Sequence, residues 1–286
     1  MPEDTGRGSS KRRMAAVTGV VGALVALGVG LGVGLGVSGS GAAVNDRRAS
    51  TALLKSVLDA VNAEGAFHYV SSSTSSSSSS TATKLTQLTV GDAGTTSGRQ
   101  AITIGTSHFE VVVVGSTAYF RGDAVGTSAS LGLSASAARA FAGHWISLVS
   151  GDAPYQSVYA AVTAGSAIAD NITFTPRTEL STSRVAGRRV IGLKGPLTPI
   201  DGQPARGTAT LYVTAARPHL PVRYVEKGTV GSGSSRSTLS FEISFSGWGT
   251  PVAVGAPSGA VPFASLGAGG GSNGSPGSSG GPTLLT

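Results

Sequence analysis

From residue 14 to residue 37 the chain reads MAAVTGVVGALVALGVGLGVGLGV, without a single charged side chain. At about 1.5 Å per helical residue this run crosses about 30 Å of hydrocarbon. Residues 1–13 are polar and end in Lys11, Arg12 and Arg13. Positive charge on that side predicts a cytoplasmic N-terminus and an extracytoplasmic body. Arg47 and Arg48 oppose the bias but lie further from the apolar run. The run exceeds the h-region of a signal peptide, and SGSGAA at 38–43 matches a cleavage site poorly. An uncleaved transmembrane helix is therefore expected, with cleavage after about Ala43 and secretion as the alternative. Gly28, Gly32 and Gly36 share one helical face. That spacing reads as tolerance of burial rather than as a dimer contact.

Beyond a linker at 38–49 the period changes. Leu53, Leu54, Val57, Leu58 and Val61 recur at helical spacing. The spacing predicts a helix over 50–63, with Ser50 as N-cap and Gly65 as the stop. Alternation then predicts strands over 66–72, 84–90, 99–105, 109–114 and 117–121. The serine run 75–80 reads as a mobile hairpin tip. Val111 to Val114 is apolar at every position, which predicts a strand covered on both faces. A helical middle follows at 134–142, 144–146 and 154–168. Strands resume at 172–180, 188–194, 208–214, 221–226 and 237–246. Helix, strands, helices, strands is the order of an α+β fold: a single large curved antiparallel sheet, a half-barrel cradling helices. Residues 246–257 read as an extended, proline-punctuated close. The tail at 265–286 is almost all Gly, Ser, Asn and Pro, a composition that predicts disorder. One domain over 50–264, about 215 residues, is long enough to bury a sizeable core.

Composition narrows the function. Charged residues make up only 12% of the 286 residues, which disfavours long surface helices. The net charge is +7, yet the body's basic residues are single apart from Arg188–Arg189, with no basic stripe interleaved with aromatics. That argues against nucleic acid as a partner and suits a face near an anionic membrane. Cysteine is absent, which excludes disulfides, thiolate chemistry and a lipidated cysteine.

No constellation carries catalysis. His68, His108, His144 and His219 have no helical i, i+4 partner, and His68 and His108 read as strand histidines. No metal site and no cofactor is expected. No nucleophile elbow and no close carboxylate pair occurs. The glycine pattern in 28–37 lies inside the hydrophobic run and lacks the Lys-Ser/Thr of a phosphate loop. The sequon at Asn171 matters only in a glycosylating compartment. The chain is expected not to be an enzyme. Binding remains. Aromatics are only 6% and the strands are rich in Val, Ala, Gly and Ser, which leaves room for an acyl chain as readily as it builds a core of small residues.

An ordered set of short motifs runs through the body. It comprises Phe67-His68 at the helix end, Phe109-Glu110-Val111-Val112-Val113, Thr117-Ala118-Tyr119-Phe120, Gly143-His144-Trp145-Ile146 and Leu211-Tyr212-Val213. It continues with His219-Leu220-Pro221-Val222-Arg223-Tyr224, then Phe245-Ser246-Gly247-Trp248-Gly249 with Pro251-Val252, and Ala256-Pro257. Over roughly residues 50–264 this set resembles the LppX/LprG-type lipoproteins of mycobacteria and other actinobacteria, relatives of the LolA/LolB lipoprotein-carrier fold. The resemblance implies a half-barrel with a hydrophobic cavity for long acyl chains, and transport or presentation of lipids or lipoglycans in the cell envelope. It supplies no catalytic residue, and Trp248, Pro251 and Pro221 look structural. The family's lipidated cysteine is missing here, which leaves 14–37 as the visible tether.

The expectation is thus a membrane-tethered extracytoplasmic carrier of acyl chains. Ile102, Ile104, Val111 and Val113 are the candidate cavity wall, and an envelope protein is a further partner class. The alternative is a non-enzymatic interaction or scaffold domain with a filled core.

Overall fold

The computed structural model describes residues 41–77, 84–164, 168, 172, 174–200, 202–233 and 236–266. The expected membrane span, the basic N-terminus and most of the tail lie outside them. No helix among the described residues is long and apolar enough to cross a membrane.

Helix α1 (Gly41–Glu64) leads into β1 (Phe67–Ser77), β2 (Lys84–Ala93), β3 (Ser97–Ile104), β4 (Ser107–Val114) and β5 (Thr117–Gly122). Two short helices, α2 (Ala124–Leu131) and α3 (Ala135–Ala140), precede β6 (Ile146–Leu148) and α4 (Tyr155–Ala160). Then come β7 (Thr178–Val185), β8 (Arg188–Pro196), β9 (Ala205–Thr214), β10 (Pro221–Val230), β11 (Ser237–Ser246), β12 (Val261–Pro262) and α5 (Phe263–Leu266). Among the described residues twelve strands form one open sheet in the order β12-β6-β5-β4-β3-β2-β1-β11-β10-β9-β8-β7. Every pair is antiparallel except β12 with β6, so the sheet is mixed rather than purely antiparallel. A single large sheet with a few helices is the α+β architecture expected from the pattern.

Several elements differ from the expectation. α1 starts at Gly41, in the stretch read as linker, because Arg47, Arg48 and Ala49 suit a helix as well as a linker. Ser50 is therefore no N-cap. It lies mid-helix, fully buried, and its Oγ has no hydrogen-bond partner among the described residues. Gly65 does stop the helix, in a left-handed conformation, with its N–H on the Val61 carbonyl. Helix α2 was invisible to periodicity because its sequence, AVGTSASL, has no apolar stripe. Its start is set by Asp123, whose carboxylate accepts the Gly126 N–H at 2.7 Å, and its stop by left-handed Gly132. The pattern predicts helix at Trp145 and Ile146, yet Ile146–Leu148 pairs with β5 as a strand. Of the helix expected over 154–168, Tyr155–Ala160 forms α4, a turn interrupts it at 161–163, and Ala164 and Ile168 are helical again. The strand expected over 172–180 begins only at Thr178, and Phe174 contributes a single bridge to Leu197. Val111 and Val113 are buried while Val112 and Val114 are only half-buried, so β4 is fully covered on one face alone.

Two apolar clusters lie along the sheet. The first joins Val57 and Val61 of α1 to Phe67, Tyr69, Leu193, Leu211, Val213, Tyr224, Ile243 and Phe245. The second joins Ile102, Ile104, Phe109, Val111, Val113, Phe120, Ile146 and Leu148 to Leu131, Tyr155, Val158 and Leu266. β1 and β2 run between them. Tyr69 crosses the boundary: its ring lies where a Cβ on Gly91 would sit, at 2.6 Å, and its hydroxyl donates to Gln100 Oε1 at 2.8 Å. Tyr69, Gly91 and Gln100 are direct cross-strand neighbours, so Gly91 is what lets the ring pass.

Ser50 gives a direct test of α1's placement. A buried hydroxyl without a partner costs about 1–3 kcal/mol of desolvation. Ser50→Ala is expected to leave stability unchanged or raise it by about 1 kcal/mol in chemical denaturation, while a clear loss would show that the hydroxyl has a partner.

Candidate functional site

Antiparallel register puts directly opposed side chains on the same face of a sheet. On the helix-covered face β1 contributes Phe67, Tyr69, Ser71, Ser73 and Ser75. The last three are small and polar. Ser71 is opposed by Ile243 on β11 and Thr89 on β2. Ser73 is opposed by Phe241 and Gln87, and Ser75 by Leu239 and Leu85. One strand further, Ile102 opposes Thr89, and Ile104 opposes Gln87. Register thus makes the serines the floor of a trough in side-chain size between two apolar walls, buried at Ser71 and half-buried at Ser73 and Ser75. Ile243 and Phe241 belong with the first cluster, and Leu85, Ile102 and Ile104 with the second.

From Ser71 to Ser75 the floor runs about 14 Å at strand rise, and the walls on β11 and β2 stand two strand spacings apart, about 10 Å. Tyr69 closes one end. At the other end Ser73, Ser75, Leu85, Gln87, Leu239 and Phe241 are only half-buried. Gln87 donates to Thr89 Oγ1 at 3.2 Å, while its buried Oε1 accepts nothing among the described residues.

The four residues named from sequence all lie on this face and in the second cluster. Ile102 and Ile104 reach the trough through β2. Val111, which opposes Gln100, and Val113, which opposes Gly98, sit in the body of that cluster. Of the floor only Ser75 falls in the run 75–80 expected as a hairpin tip, and Ser71 falls in the strand expected over 66–72; β1 continues to Ser77 and pairs on both sides. Residues 78–83 of that expected tip lie outside the described residues.

A second concave feature lies at the opposite end of β1. His68, Asp92 and Arg99 are consecutive cross-strand neighbours on the face turned away from the helices. His68 Nδ1 donates to Asp92 Oδ1 at 2.8 Å, and Arg99 Nε donates to Asp92 Oδ2 at 2.8 Å. Burial pushes the Asp92 carboxyl up, but the bonds and charges of His68 and Arg99 outweigh it and hold the group below the usual carboxylate range. On Tyr69, close by, burial and then the Asp92 charge raise the phenol far above its ordinary value. The segment after β11 closes over this row. Trp248 donates to the Pro221 carbonyl at 3.0 Å and its ring lies 4.8 Å from that of Phe67. Gly249 N–H bonds the Ala66 carbonyl, and Ser97 Oγ the Val252 carbonyl. The result is a pocket of about 200 Å³ lined by His68, Asp92, Arg99, Thr250, Pro251 and Val252, among others. The sequence offers His68 only as a strand histidine; its link to Asp92 needs the β1–β2 register.

No group of three or more His, Cys, Asp or Glu residues fit for a metal occurs among the described residues. No family model and no curated protein matches the chain. Among solved structures it is similar to the Pseudomonas aeruginosa MucA/MucB complex, at 15% identity over 71% of this chain and 59% of that one, TM-score 0.33. It is also similar to a LolA superfamily protein from Nitrosomonas europaea, at 8% identity over 68% and 92% of the two chains, TM-score 0.24. A putative outer membrane lipoprotein-sorting protein domain from Vibrio parahaemolyticus gives 9% identity over 74% and 95%, TM-score 0.24. The chain therefore spans less than two thirds of the first of these. All three TM-scores fall below 0.5, and the two sites are read from their own geometry.

Asp92 carries a pH test. A carboxyl held below its unfolded value stabilises the fold above about pH 4, and that contribution is lost as pH falls through the lowered folded value. The drop in melting temperature between about pH 5 and about pH 2 should be larger for the wild type than for Asp92→Asn. Equal drops would mean the His68–Asp92–Arg99 row adds no acid-sensitive stability.

Proposed function

We propose that this domain is a non-catalytic carrier that holds an acyl chain of a lipid or lipoglycan in the serine-floored trough. The observation that carries this reading is the side-chain profile across β11, β1, β2 and β3. Large apolar residues, Ile243 and Phe241 on one side and Leu85, Ile102 and Ile104 on the other, flank three serines in register. Serines directly opposite Phe and Leu leave volume above them that the flanking side chains need not fill. An elongated apolar ligand removes wall area from water at about 0.8 kcal/mol per methylene. The serine hydroxyls and Gln87 set a polar floor beneath it, suited to the ester or amide end of such a ligand.

In this reading Ile102 and Ile104 form the far wall, while Val111 and Val113 back it. The domain works in the cell envelope on the outer side of the cytoplasmic membrane, held there by residues 14–37 or released by their cleavage. The apolar run with its preceding Lys11–Arg13 cluster supports that placement.

Filling the trough separates this from a filled-core scaffold. Mass spectrometry of the purified wild type is expected to find co-purified lipid, and the delipidated protein to take up a fluorescent fatty acid. Ser73→Phe should weaken uptake at least tenfold (about 1.4 kcal/mol) while its melting temperature stays near or above that of the wild type. A lipid-free protein that also takes up no fatty acid would sink the carrier reading and leave the scaffold.

A further inference from the structure

The trough leaves the His68 pocket unused. It lies at the other end of β1, and its polar members face away from the helices. Its donor and acceptor inventory is lopsided. Asp92 is its one carboxylate, and both oxygens are already taken, Oδ1 by His68 and Oδ2 by Arg99. Among the described residues Arg99 bonds only through Nε, which leaves its two terminal nitrogens open in a side chain 62% exposed. Among the described residues His68 bonds only through Nδ1, which donates to the ionised Asp92 and leaves Nε2 uncommitted. Thr250, on the closing segment, adds a hydroxyl. The pocket's unspent polar atoms are therefore mainly donors, and an acceptor-rich ligand completes them.

The pocket is also pre-shaped. Trp248 on Pro221, the Gly249–Ala66 bond and the Ser97–Val252 bond fix the closing segment to three different strands or strand ends. Gly247 and Gly249 take left-handed backbone to turn it, at φ 62° and 72°. Such a fixed wall spares the ordering cost of binding.

We propose that this pocket binds a small carboxylate or phosphate monoanion between Arg99, Thr250 and His68. Among the described residues the remaining charged group nearby is Glu64 at the end of α1, whose carboxylate lies against Gly249 on the closing segment; the segment's own pocket residues carry no charge. Glu64 opposes an anion, so binding rests on the donors of Arg99 and Thr250. The site does not depend on the carrier reading, since it shares no residue with the serine floor.

The test is an imidazole ¹H–¹⁵N NMR titration of the full-length protein in neutral detergent, with sodium propionate and inorganic phosphate in separate arms. Chloride holds the ionic strength fixed. The expected result is a saturable, propionate-dependent shift at His68 Nε2. His108, His144 and His219 should stay still. Arg99→Gln should abolish saturation, and Thr250→Val should weaken it severalfold; both positions are exposed, and an unchanged amide spectrum elsewhere certifies the fold. Tighter propionate assigns the site to carboxylates, tighter phosphate to phosphoryl groups. Absence of saturation, equal response at all four histidines, or unchanged binding in Arg99→Gln would overturn the site.

Discussion

β1 and β11 meet through ten residue pairs, from His68 with Ser246 to Ser77 with Ser237, although the partners stand roughly 170 residues apart. Apart from the two-residue β12–β6 contact, every other pairing joins strands consecutive in the chain. The sheet therefore consists of two runs of hairpins, β1 to β6 and β7 to β11, and the β1–β11 ladder welds them. Its loop-closure entropy has to be recovered from that single seam. The apolar weight of the seam sits at one end, where Phe67, Phe245 and Trp248 meet ring to ring. Such aromatic pairs add about 0.5–1.5 kcal/mol each beyond the area they bury.

That concentration explains how a serine strand sits in the middle of the sheet. Serine has little β-propensity, and an isolated strand of it would not persist. Between β2 and β11 the backbone of β1 is hydrogen-bonded on both sides, so its side chains are released from any duty to the core. Both candidate sites use this freedom. At the aromatic end β1 contributes His68 to the outer pocket; at the serine end it contributes the trough floor. Tyr69, crossing Gly91 to Gln100, separates the two and couples the clusters.

Much of the strand framework was legible. The hairpins β2 to β5 and β8 to β11 alternate over short lengths and are punctuated by Gly, Asp and Thr, so local pattern finds them. The short helices were not legible: α2 is held by an Asp123 cap and buried Gly126 and Thr127 rather than by an apolar stripe. β6 failed for a similar reason. Three residues, Ile146 to Leu148, are too few to show a period, and only β5 and β12 make them a strand. Ser50 misled because the residue type that caps helices was buried inside one.

The amino-acid sequence by itself determined the apolar run at 14–37, the α+β class, the helix leading into Phe67 and the four valine and isoleucine positions that fall on one sheet face. These follow from period and composition, which are local properties. Tertiary structure alone decided which strands adjoin β1. That choice set Ser71, Ser73 and Ser75 between apolar walls and brought His68, Asp92 and Arg99 into one row. Cross-strand register is a relation between distant segments, and no local period encodes it.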